Sequence, residues 1–560
     1  MLFFVFVALP ILALPSKFIS GGRALKQIGF SFESSKEFHR SDKKISDVSN
    51  QEIYEPFIAT QEYDILVEDT EFDSWLAEHA NRSLFFMLEN IGGILTILNA
   101  SEVSEGLVVA SQLRRNPNYL FNWIRDSALT IRSFIHILDD SQENSLISFK
   151  QIIELYIEAN YYLQRQPNLS GNFHDKRRAS LGEPKFMPNG LPFNEPWGRP
   201  QSDGPALRIL TIAYYLKFLE HLGELIDNQF LGNASNIYHK IIKPDLEYVM
   251  ENWNRVLFDL WEEVNSFHFF NALVQLRGIR DGIYLSTVFE ESPDFSEALE
   301  NQFKELKAFV LSYDTGFRTP KVPYIIETPS LFHLGKRSGL DAATLLGSLH
   351  AHGMETGGNL DVPFDVDDSH ILNTIMAMVT DMKFRYPVNH KYIGKSQQGA
   401  GLGRYPEDIY DGYSTTEGNP WFICTASASE ALYKLVYKAI AEKSDILILA
   451  ETREFYSLFV DGLLDEDSLD DEIRTIEYGS EEYKHILRDI FLYSDTFMKV
   501  IRDHIDSNGH MLEQFNKYTG YMQGAEDLTW SYSSFCNSAN WREKAKANLK
   551  FLDMKDLISS

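Results

Sequence analysis

The chain is 560 residues long, 44% hydrophobic and 13% aromatic, and its 80 acidic residues outnumber 52 basic ones for a formal charge of −28. That apolar content is ample for a sizeable core, arranged as several domains or as one large closed architecture. With a pI near 5.0, the average field repels nucleic acid and anionic membrane surfaces, so a neutral substrate fits better.

The N-terminus, MLFFVFVALPILALP, is apolar, too short to span a bilayer comfortably, and placed where a secretory signal would be, although it lacks a basic n-region. Residues 1–16 are therefore expected to be a signal peptide. Residues 17–70, rich in Ser, Lys and Gly without periodicity, read as a polar spacer or pro-segment. Globular sequence begins near Phe72, and helical spacing of apolar residues is clear over 71–91, 148–166 and 241–261. Clear alternating strands are scarce. Sequons at Asn81, Asn99, Asn168 and Asn233 suit the secretory route, and the expected location is secreted or vacuolar. The two cysteines, Cys424 and Cys536, lie in apolar stretches and read as buried free thiols.

Along the chain a looser repetition recurs, in which a polar or Gly/Pro turn with an acidic or amide group precedes a helix rich in small and apolar residues. It appears at 123–138, 201–219, 261–276, 337–349, 417–437 and 524–535. The separations leave room for a returning helix each time, which suits six helical hairpins closing into an α/α toroid, with the polar turns at one end forming a pocket. An ordinary multi-helical domain with unrelated loops has the same periodicity.

No His-Glu-x-x-His, paired Cys-x-x-Cys or Gly-x-Ser-x-Gly pattern occurs. Gly394-Lys395-Ser396 resembles the end of a phosphate loop, but Asn389 stands where its first Gly belongs. The acidic run 361–370 lacks the Gly and terminal Glu of a calcium loop and reads as a solvated loop. More telling is FDLWEEVNSFHFF (258–270), where Glu262 and Glu263 adjoin a Trp. Burial against aromatic surface and repulsion from a charged neighbour keep one such carboxyl protonated, able to donate to a leaving oxygen. An isolated Glu-Glu is more often a solvated turn at a helix start. Its company shifts the balance: Tyr119, Trp123, Arg125 and Asp126 in NYLFNWIRDSA, Trp197 and Asp203 in EPWGRPQSDGPALR, and Arg404, Glu407, Asp408 and Trp421 on the loop 401–422. Each places a directional hydrogen-bonding group beside a stacking ring, although Arg125 and Asp126 alone also suit a salt bridge and a helix cap.

Together WIRDSA, WGRPQSDGPALR, FDLWEEV, GRYPEDIYDG with GNPWF, and LEQFNKYTGYMQGAEDLTWSY closely resemble the signature segments of glucoamylases, glycoside hydrolase family 15, and most of all the yeast enzymes. The resemblance runs from about Phe72 to Asn548 in the family's order. It implies an all-α fold, an (α/α)6 barrel, as one catalytic domain over 71–560, and exo-acting, inverting release of glucose from α-1,4-glucans such as starch, dextrins and glycogen, with slower α-1,6 cleavage. Carried over by residue, it implies Glu262 as general acid, Glu513 as general base, and Glu263, Arg125, Asp126, Arg404 and the Leu260 carbonyl as substrate contacts, with Tyr119, Trp123, Trp197 and Trp421 as aromatic walls. The pairing of Glu262 with Glu513 rests on the family alone.

Inverting chemistry needs the acid protonated and the base ionised, hence an expected acidic optimum with a bell-shaped pH profile, and a carboxyl separation of about 6.5–9.5 Å that admits a water. No metal or organic cofactor is called for. The expected partner is an α-glucan, with no nucleic acid, no membrane, and a monomeric state. Phe193 stands near where many relatives carry Tyr, removing a hydroxyl. With no Ser/Thr-rich linker or β-rich module after the last helix, soluble dextrins or glycogen are expected over granules. The alternatives are a glucodextranase-like or trehalase-like enzyme on the same toroid, and a glucan-binding protein that has lost catalysis.

Overall fold

The computed structural model describes residues 69–95, 102–140, 149–353, 361–464 and 473–559. The expected signal peptide, the spacer up to residue 68 and the Asn99 sequon lie outside these residues.

Among the described residues, twelve helices have ten residues or more: α1 (Thr70–Glu89), α2 (Ile124–Asp140), α3 (Phe149–Leu163), α4 (Asp203–Leu222), α5 (Lys243–Asn252), α6 (Phe269–Val288), α7 (Pro293–Leu311), α8 (Ala343–His352), α9 (Ser369–Arg385), α10 (Phe422–Ala441), α11 (Glu481–His504) and α12 (Thr529–Ser559). Local chemistry sets many of their ends. Side chains of Asp69, Ser292, Asp368 and Ser480 accept the free N–H groups that open α1, α7, α9 and α11, and Gly223, at φ +67°, closes α4.

Even-numbered helices form a closed ring: α2 packs on α4, α4 on α6, α6 on α8, α8 on α10, α10 on α12, and α12 back on α2. Odd-numbered helices wrap it, with α1 on α12, α3 on α2, α5 on α4, α7 on α6, α9 on α8 and α11 on α10. This is the expected (α/α)6 barrel. The sequence distinguishes the layers. Every residue from Phe422 to Val436 of inner α10 is buried, whereas outer α7 buries only Leu299, Phe303, Leu306 and Val310, one stripe at helical spacing. Buried ion pairs tie the layers, Arg208 of α4 to Asp245 of α5 and Arg542 of α12 to Asp495 of α11.

One predicted helix is shorter than its periodicity suggests. Instead of running over 241–261, α5 stops at Asn252, whose amide donates to the Tyr248 and Arg177 carbonyls and so competes for helix acceptors. The chain then enters a ribbon pairing Leu257–Phe258 with Asn265–Ser266. Its connecting turn carries Glu262 and Glu263. Like this turn, the segments that lead into α2, α4, α10 and α12 line a cavity of about 280 Å³.

Candidate active site

The first wall is built where α2 begins. Asn122–Trp123 pairs with Lys185–Phe186, and the helix then starts with Arg125 and Asp126, the latter favoured by the positive end of the helix dipole. Arg125 is 5% exposed. Its Nη1 donates to Asp203 Oδ2 at 2.9 Å and Gln201 Oε1 at 3.1 Å, its Nε stands 3.4 Å from Asp126 Oδ2, and its Nη2 stands 3.8 Å from Glu262 Oε1. Burial works against its charge, but Asp203, Asp126 and Glu262 outweigh it and raise its pKa. Burial pushes Asp126 up to about 6 against the pull of Arg125.

The acidic turn is held from below by Asp259, which is 2% exposed. Its Oδ1 accepts the N–H groups of Glu263 at 2.8 Å and Val264 at 2.7 Å, and its carbonyl accepts Glu262 N–H at 3.0 Å. Glu262 thereby adopts φ +67°, a left-handed conformation that costs a non-glycine residue about 1–3 kcal/mol and persists only when surroundings enforce it. Gly198 permits the turn's close approach, since a Cβ there would lie 2.7 Å from the Glu262 carbonyl oxygen. Aimed inward, Glu262 Oε1 accepts from Trp123 Nε1 at 2.8 Å and Gln201 Nε2 at 3.0 Å.

Glu263 differs from its neighbour. Arg404 Nη2 and Arg337 Nη2 each donate to it at 2.8 Å, and the Tyr405 hydroxyl adds a third bond. Burial opposes its charge, yet Arg404, Tyr405 and Arg337 prevail and hold the carboxyl below the usual range. Fixed as an anion, it is a hydrogen-bond acceptor and no proton donor.

Glu513 lines the same cavity, just before the ribbon pairing Gln514–Phe515 with Met522–Gln523. It is 1% exposed. Gly524, at φ +86°, makes room for it, because a Cβ there would stand 2.5 Å from Glu513 Oε2. Burial pushes Glu513 up to about 8, against the hydroxyls of Tyr119 and Tyr410 and the charge of Arg404. Those two hydroxyls are bonded to each other at 2.9 Å. Arg404 is clasped by Asp408 through Nε at 2.8 Å and Nη2 at 2.6 Å.

Of the fourteen candidates named from the sequence, Tyr119, Trp123, Arg125, Asp126, Trp197, Leu260, Glu262, Glu263, Arg404, Trp421 and Glu513 line this cavity, whereas Asp203 and Asp408 stand behind Arg125 and Arg404 and Glu407 accepts from Ser338 N–H. Trp261, Tyr410 and Trp530 line it too. Trp261 and Tyr410 stand one or two positions from a charged group, which was the available signal, whereas Trp530 is three positions from Asp527. Asp259, Gln201 and Arg337 act from behind and carried none. The segment 337–349 supplies no lining residue; Arg337 reaches Glu263, and Asp341 accepts Trp261 Nε1 at 3.0 Å. Phe193 is buried behind Trp197 rather than on the cavity surface, with ring centres 5.9 Å apart. The acidic run 361–370 is less solvated than expected, since Asp365 pairs with Lys434 and Lys438 and Asp368 caps α9. Cys424 and Cys536 are buried free thiols.

A family model described as Glycosyl hydrolases family 15 matches residues 81–540. The chain is 37% identical over 506 residues to a glucoamylase of Saccharomycopsis fibuligera, covering 89% of this chain and 95% of the relative. It is 34% identical over 488 residues to the intracellular sporulation-specific glucoamylase of Saccharomyces cerevisiae, covering 86% of each. The solved structure of glucoamylase from Saccharomycopsis fibuligera matches with a TM-score of 0.80 at 35% identity, over 88% of this chain and 99% of that one. The chain belongs to glycosyl hydrolase family 15.

Proposed function

We propose that this protein is a glucoamylase, an exo-acting hydrolase that releases β-glucose from the non-reducing ends of α-1,4-glucans, and α-1,6 linkages more slowly, with inversion at the anomeric carbon. The observation that carries the reading is one cavity whose four lining carboxyl groups include two with contrasting partners: Glu262, hydrogen-bonded to an indole and an amide, and Glu513, buried beside two hydroxyls. Family membership supplies the substrate class.

In the proposed reaction Glu262 gives its proton to the glycosidic oxygen as the bond to the anomeric carbon breaks. Glu513 takes a proton from the water that attacks the opposite sugar face. The productive state holds one proton across the pair, so rate rises and falls with pH around a macroscopic optimum belonging to both groups. Arg125, Asp126, Glu263, Arg404 and the Leu260 carbonyl hold the hydroxyls of the terminal glucose, and Tyr119, Trp123, Trp197 and Trp421 stack on its faces. A cavity of about 280 Å³ suits removal of one terminal sugar at a time. A time course on maltoheptaose tests this: glucose and maltohexaose are the first products expected, and early maltose or maltotriose would contradict exo action.

The same reading places the chain in the secretory route as a monomer, with 71–560 as one catalytic domain. In support, Asn233 is an exposed sequon whose Oδ1 accepts Asn236 N–H to cap a short helix. Its charge of −28 favours neutral glucans over nucleic acid or membrane. No helix among the described residues is long and apolar enough to cross a membrane.

A further inference from the structure

Lys185 faces Trp123 across the two-stranded ribbon, and its side chain runs beneath the aromatic wall of the cavity. Its Nζ lies 3.5 Å from the centre of the Trp197 ring, 4.1 Å from Phe121, 4.3 Å from Phe193 and 4.4 Å from Trp123. The residue is 2% exposed. Buried ammonium groups ordinarily pair with a carboxylate; here four electron-rich ring faces take that place. The rings also meet edge to face, Trp123 with Trp197 at 6.1 Å and Phe121 with Phe193 at 5.1 Å, so the cation sits at the centre of a cage. Two of its rings, Trp123 and Trp197, face the cavity, and Trp123 Nε1 is the donor on Glu262 Oε1.

Resting on the glycosidase reading above, we propose that Lys185 is a positioning residue for the reaction: its ammonium, clasped by four rings, fixes Trp123 and Trp197 as the surface on which the sugar stacks and holds the Trp123 indole on Glu262. The charged groups around it are Glu262 and Arg199, the latter bonded to Glu183 at 3.1 Å. Burial pushes Lys185 down to about 8, opposed by Glu262 and assisted by Arg199, so it carries its charge at acidic and neutral pH. That charge also favours the ionised over the protonated form of the acid–base pair. Phe193 thus has a role without a hydroxyl, as one face of the cage.

The test compares wild type with Lys185→Met, which keeps the stem and removes the charge, and Lys185→Arg, which keeps the charge. For K185M the expected result is a folded protein whose KM for maltoheptaose rises about tenfold while kcat falls less, and whose kcat/KM profile loses activity at higher pH on its basic side. K185R should stay within about threefold of wild type in KM and keep the basic limb in place. Unchanged KM and pH profile in folded K185M overturns the inference, as does a K185R as impaired as K185M. Failure of K185M to fold also overturns it, since the cation would then serve stability alone. An active wild type with normal K185M leaves the glycosidase reading standing; an inactive wild type overturns both.

Discussion

The two turns that carry Glu262 and Glu513 reach the same cavity by opposite means. The Glu262 turn is strained backbone held by polar bonds: a left-handed residue pinned through Asp259, with its side chain 14% exposed and bonded to Trp123 and Gln201. The Glu513 segment is relaxed ribbon with space cleared by Gly524, and its carboxyl is shut away from water. Burial rather than strain sets its chemistry, pushing it up to about 8. A fold can aim a carboxyl by forcing the backbone or tune one by removing solvent, and here each turn relies on one of these.

The sharpest way to break this comparison is to remove either carboxyl. Glu262→Gln and Glu513→Gln should each lower kcat by about 10²–10⁴-fold with little change in KM, read from initial glucose release on maltoheptaose. If either variant keeps wild-type kcat, its proposed role fails. Next in size is the strained turn. Asp259→Ala removes the acceptor for two amides, and misplacement of Glu262 should cost about 10²-fold in kcat; a Tm lowered with kcat intact would show that Asp259 merely stabilises.

The buried side predicts a stability effect of opposite sign. The folded value of Glu513, about 8, lies above an unfolded value near 4.3. Its protonated form therefore contributes stability that is fully present below about pH 4.3 and is lost as pH rises through 8. Glu513→Gln should accordingly be more stable than wild type by roughly 3–4 kcal/mol at pH 7 and level with it at pH 4, measured by denaturant unfolding. The smallest effect concerns the hydroxyls. Tyr410 favours the charged base, so Tyr410→Phe should move the acidic limb of kcat/KM upward by up to about one pH unit; a downward shift would reverse the sign assigned to this bond.

What was legible in the sequence follows the same division. The helices, their layers and the six polar turns could be read because spacing, caps and all-round apolar runs such as 422–436 are local signals. So were Trp123, Trp197 and Trp421 and the charged residues near them in short motifs. The residues that act across distance were not. Asp259 enforces a conformation that no pattern announces, Gln201 reaches Glu262 from another loop, and Lys185 becomes notable only when Phe121, Trp123, Phe193 and Trp197 converge on it. The end of α5 at Asn252 was missed because apolar spacing continues past it, and only the side-chain bonds to Tyr248 and Arg177 reveal the stop. The pairing of Glu262 with Glu513 came from family resemblance, since some 250 positions separate them.

The most direct test of the account is the anomer of the first glucose released from maltoheptaose, followed by proton NMR before mutarotation. Two carboxyl groups acting as acid and base on opposite sugar faces predict β-glucose. Initial α-glucose would contradict the account, because it requires a covalent intermediate and a nucleophile where the proposed reaction has a base.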